Sequence, residues 1–91
     1  MADENLKRAY ETLTEVLTDH GVNVVGPDQQ IDFARLFASE SEAIRFGASL
    51  RSRGYNIGPA VFIRLHREAK VVTVRNLTYA LAGNDDTEGH D

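Results

Sequence analysis

Three histidines are the first residues in this sequence to weigh for chemistry, and their spacing argues against a metal site. His20, His66 and His90 stand far apart, with no second ligand at the short intervals that zinc sites use. There is no cysteine, so thiolate nucleophiles, disulfides, Cys-ligated zinc and iron–sulfur clusters are excluded. No Gly-x-Ser-x-Gly elbow, phosphate-binding loop or Gly-x-Gly-x-x-Gly run occurs. The close acidic pairs, Glu40/Glu42 and Asp85/Asp86, fall at an expected helix start and in a polar terminal stretch. Water would keep both members ionised there, which makes them poor general acids or bases. The sequence therefore predicts a non-enzymatic protein without metal or cofactor.

The remaining chemistry is that of surfaces. Net charge is −4 over 91 residues, but the charge is segregated. Through Arg45 there are four bases and nine acids; from Phe46 to Ala80 there are six bases and only Glu68. The last stretch carries Asp85, Asp86, Glu88 and Asp91 with no base. A basic segment thus lies between two acidic ones, and within it Phe62, Arg64, His66 and Arg75 interleave aromatic and cationic groups. Such side chains anchor protein interfaces, supplying area and forked hydrogen bonds. They also suit single-stranded nucleic acid, where bases stack on rings and cations hold phosphates; Phe33, Arg35 and Phe37 would extend such a platform. A protein partner is the leading expectation, nucleic acid the alternative.

Positioning those four residues requires a framework. Leu6, Ala9, Tyr10, Leu13, Val16, Leu17 and His20 recur at helical spacing, with Asp3 able to cap the start and Gly21 the end. A connector from Val22 to Gln30 contains the turn signal Gly26-Pro27-Asp28. Ile31 to Ala38 alternates as a strand would. Ser39 and Glu42 match a capping box, opening a helix whose stripe is Ala43, Phe46, Gly47 and Leu50. Arg51-Ser52-Arg53 suits its carboxyl end, Gly54 ends it, and Tyr55 and Ile57 begin a return strand broken by Gly58-Pro59. Ala60–Leu65 and Val71–Leu77 are β-branched runs that read as a hairpin around Arg67–Lys70.

The order α-β-α-β-β predicts an α+β fold: a two-layer ferredoxin-like sandwich with helices on one face of a small mixed sheet. On its hairpin, Phe62, Arg64, His66 and Arg75 would point to solvent. Residues 1–81 would form one domain and 82–91 a disordered acidic tail. About eighty residues give a small core with no disulfide staple, so homodimerisation, or strand addition to a partner, through an uncovered sheet edge is expected. Asp3 and Glu4 replace the basic start of a signal peptide, and no apolar run suits a membrane span, which points to the cytoplasm.

The stretch FASESEAIRFGASLRSRGYNI, Phe37 to Ile57, resembles the bacterial regulator of ribonuclease E activity B family, and the layout follows it over roughly residues 4 to 78. The resemblance implies a ferredoxin-like fold and a small regulator that inhibits an RNA-degrading endonuclease by binding it. The family's chain continues into a further helix and strand after the hairpin, whereas here Ala82 opens into the acidic stretch. The same strand–helix–Gly-Tyr–strand pattern also resembles peptidoglycan-binding sporulation-related repeats.

Overall fold

The expected N-terminal helix forms, and the rest of the chain departs from the expected sheet. The computed structural model describes residues 2–83. Helix α1 spans Ala2–Asp19 and buries Ala9, Leu13, Val16 and Leu17 along one stripe. Asp3 lies within its first turn rather than ahead of it. Gly21 follows with φ of 88°, a left-handed conformation that L side chains adopt only at a cost.

The alternating run after the connector is a strand for only three residues. β1 covers Gln30–Asp32, and helix α2, Phe33–Leu36, begins at once. Asp32 makes the switch: its carboxylate accepts the Ala34 N–H at 3.0 Å, an N-cap bond that favours helix over continued strand. The four-residue spacing of Phe33 and Phe37 then places both rings in the core, 5.7 Å apart.

Helix α3, Glu40–Ser52, starts with Ser39 as N-cap, but the capping box does not form: Glu42 reaches one residue past the cap. The Ser39 hydroxyl makes no cap bond, while Glu42 accepts from the Ala38 N–H at 3.0 Å. Arg53 follows, its guanidinium reaching Glu15 and Asp19 of α1 at 3.6 and 3.7 Å. Gly54, at φ 97°, reverses the chain.

The first run of the expected hairpin is helical. α4 spans Pro59–Arg67. Pro59 supplies a preset φ at the first helical position, where its missing N–H costs nothing. Phe62 turns inward while Arg64 and Arg67 turn out, a pattern that fits a helix and not the strand that would have put Phe62 and Arg64 on one face. The chain leaves α4 through Ala69, a non-glycine residue at φ 53°, with the Lys70 N–H bonded to the Leu65 carbonyl at 3.0 Å. β2 is only Val71–Thr73, and Thr73 ends it by accepting the Asn76 N–H at 3.1 Å. Helix α5, Val74–Ala82, then buries Val74, Leu77, Thr78 and Leu81.

β2 pairs with β1, not with the segment before it. The ladder is antiparallel, with Gln30 opposite Thr73, Ile31 opposite Val72 and Asp32 opposite Val71. The described residues thus hold five helices and one two-stranded sheet, which overturns the α-β-α-β-β order and the ferredoxin-like sandwich. The structure contains no mixed sheet and no hairpin over 60–77 among these residues. The buried apolar residues of α1 to α5 join in one cluster. Ala82 closes α5 and Gly83 caps it; the rest of the expected tail, 84–91, lies outside the described residues.

Four phenylalanines hold the centre. Phe46 of α3 meets Phe62 of α4 at 4.9 Å and Phe37 at 5.3 Å, and Phe33 lies 6.2 Å from Phe62. Helices α3 and α4 come together at Gly47, where an added Cβ would sit 2.8 Å from the Pro59 Cα. Ala normally exceeds Gly in a helix by about 1 kcal/mol, but overpacking against fixed backbone costs about 1–3 kcal/mol. Gly47→Ala is therefore expected to lower the urea midpoint, against the helix-propensity trend. The opposite outcome is expected at Ala69, where removing the Cβ relieves a left-handed conformation worth about 1 kcal/mol. Ala69→Gly should raise the midpoint in the same titration.

Candidate functional site

The four residues expected on one solvent-facing hairpin do not share a surface. Phe62 is 2% exposed, enclosed by Phe33 and Phe46, and cannot meet a partner. Arg64 is exposed on α4. His66 is half-buried near the end of the same helix, its ring 6.2 Å from that of Phe37 and its Nδ1 enclosed without a hydrogen-bond partner. Arg75 belongs to α5, where its guanidinium donates to Asp28 at 2.7 Å. That hydrogen bond, with the attraction between the charges, raises the Arg75 pKa further. Phe33 and Phe37, the possible extension of the platform, are also buried.

Several charged groups serve the framework. Arg67 donates from Nε to Glu40, joining the end of α4 to the start of α3. This hydrogen bond is the main reason the Glu40 carboxyl is held below its ordinary range. Because the folded-state pKa is lowered, the contribution is complete above the ordinary glutamate range and lost as pH falls through the folded value. The difference in urea midpoint between the parent chain and Glu40→Gln should therefore be present at neutral pH. It should close on acidification, when the protonated carboxyl resembles the amide.

Clefts indent the surface of the described residues. One, of about 460 Å³, lies between the end of α1 and α3 and gathers Asp19, His20, Glu42 and Arg45. Its polar groups are largely engaged. His20 donates from Nδ1 to the Val16 carbonyl at 3.1 Å, Glu42 accepts from the Ala38 N–H, and Asp19 faces Arg53. No group of His, Asp and Glu among the described residues is arranged to hold a metal ion. A second cleft, of about 260 Å³, lies between α1 and α5 and is mostly apolar, with Leu6, Tyr10 and Tyr79 in its walls.

The third is a groove of about 480 Å³ beside the small sheet, and it has the features of a binding surface. Its apolar lining is Val22, Ile31, Leu36 and Val71; Gln30, Asp32 and Arg35 add polar groups. Val71 is 52% exposed, a large apolar side chain left in water. The sheet explains the opening. Phe33 N–H bonds to the Lys70 carbonyl and Val74 N–H to the Gln29 carbonyl, framing the antiparallel ladder. Alternate residues of a strand send their backbone groups to opposite sides, so Gln29, Ile31 and Phe33 face β2 while Gln30 and Asp32 face away. Among the described residues β1 has no second strand neighbour. Its outer edge therefore offers the Gln30 N–H and C=O and the Asp32 N–H, whereas the Asp32 carbonyl serves the first turn of α2.

Sequence reasoning missed this groove because it joins residues 22, 29–32, 35, 36 and 71, and the pairing of β1 with β2 brings them together. The one local signal was Asp32 ahead of Phe33-Ala34, the cap that stops the strand. No described helix is long and apolar enough to cross a membrane. Comparison with protein families, characterised proteins and solved structures finds no match to this chain.

Proposed function

We propose that this chain is a small, non-enzymatic regulatory protein of the cytoplasm that works by binding another protein. It receives an extended segment of its partner along the outer edge of β1. The observation that carries this reading is the coincidence of an unpaired strand edge with an apolar groove. Strand addition uses both: main-chain hydrogen bonds supply affinity, and side-chain pockets supply choice of partner. Exposed edges are otherwise shortened, covered or charged, because they template association. Here the edge is short, yet Val71 of the adjoining β2 stands uncovered in the groove.

The resemblance of Phe37–Ile57 to regulators of an RNA-degrading endonuclease makes such an enzyme the first partner to try and inhibition the first effect to measure. A second copy of the chain, pairing through the same edge, is the competing occupant, and solution mass distinguishes it. Support for the nucleic-acid alternative is weaker than the sequence suggested, because Phe33, Phe37 and Phe62 are in the core and cannot stack on bases.

Gln30→Pro tests the reading directly. Proline removes the outward N–H at Gln30 and blocks an incoming strand, while the ladder bonds at Ile31 remain. The variant is expected to keep the parent's circular dichroism spectrum and lose at least tenfold in affinity for its protein partner. An unchanged affinity in a folded Gln30→Pro chain would exclude β1 as the contact.

A further inference from the structure

We infer that the segment received along β1 is acidic: an extended peptide with an apolar side chain on the groove and a carboxylate for Arg35. This rests on the strand-addition reading and adds the chemistry of the ligand. Arg35 lines the groove beside Leu36, is exposed, and makes no ion pair among the described residues. The other described arginines near the small sheet differ: Arg67 is held by Glu40, and Arg75 by Asp28. Arg35 thus stands at the mouth of an apolar groove with its planar, forked donor set unused.

The one acid lining the groove does not neutralise this site by direct pairing. Asp32 turns its Oδ1 to the Ala34 N–H and serves as the α2 cap. A basic occupant would be repelled by Arg35, and a neutral one would leave it unpaired. An acidic occupant gives Arg35 a charge-assisted contact next to the apolar area it covers.

Strand geometry sets the spacing. Alternate residues share a face and lie about 6.6 Å apart. The carboxylate therefore belongs two residues from the apolar side chain that covers Val22, Leu36 and Val71. The chain's own terminal stretch, residues 84–91, carries Asp85, Asp86, Glu88 and Asp91 but no large apolar side chain. It has the charge without the apolar group, so the occupant comes from another protein.

The test titrates the full-length, isotope-labelled chain with three synthetic octapeptides in which pairs of valines alternate with pairs of glutamates, lysines or serines, so that valine and the variable residue fall two positions apart on one face. Backbone amide shifts of Gln30, Asp32 and Val71 report occupancy of the edge. The glutamate peptide should bind tightest, weaken with added salt, and lose about tenfold in affinity for Arg35→Ala, the scale of one charge-assisted contact. Arg35→Glu should transfer the preference to the lysine peptide. Equal binding of the serine and glutamate peptides at these amides would overturn the acidic preference while leaving strand addition in place. If no peptide moves these amides and Gln30→Pro still binds its protein partner normally, the strand-addition reading itself falls.

Discussion

Packing of four phenylalanine rings from three helices is the constraint on which the rest of this structure depends. Phe33 and Phe37 come from α2 and its cap, Phe46 from α3 and Phe62 from α4, with centroid separations of 4.9–6.2 Å between neighbours. Burying each ring is worth about 1.5–3 kcal/mol, and favourable ring pairs add about 0.5–1.5 kcal/mol. That scale is comparable with the total stability of a small domain. It outweighs the preference of a few β-branched residues for strand, which spans about 1 kcal/mol. His20 and His66 flank the cluster, His20 edge-on to Phe46 at 5.2 Å and His66 at 6.2 Å from Phe37.

Consequences of that packing reach the surface. Drawing Phe33 inward requires the chain to turn into α2 directly after Asp32, which leaves β1 only three residues. At the other end of the ladder, the Thr73 cap turns the chain into α5 and keeps β2 equally short. The sheet that results has two strands and an outer edge beside Val22 and Leu36. The open groove is thus a by-product of helix capping on both sides of a small ladder, and its unpaired Arg35 lies one turn from the cap that created it.

Much of the local punctuation was legible in the residues. Gly21 and Gly54 take the left-handed conformations that their positions suggested, and the stripes of α1 and α3 are the buried ones. The run Ala60–Leu65 was not legible as a helix, because Val61, Ile63 and Leu65 also alternate as one face of a strand would over so few residues. Pro59 was a helix-start signal as much as a strand break, and only its contact with Gly47 shows which. The site was less legible still. A strand edge is defined by what does not pair with it, and pairing between residues 30–32 and 71–73 is a long-range event.

The sequence by itself determined which residues could be buried, where the chain must turn, and that thiol chemistry was unavailable. These properties belong to single residues and their immediate neighbours. Tertiary structure alone decided whether short apolar runs became strand or helix, which strands met, and which arginines stayed unpaired. Those outcomes depend on side chains far apart in the chain competing for one small core, where ring packing outweighs local preference.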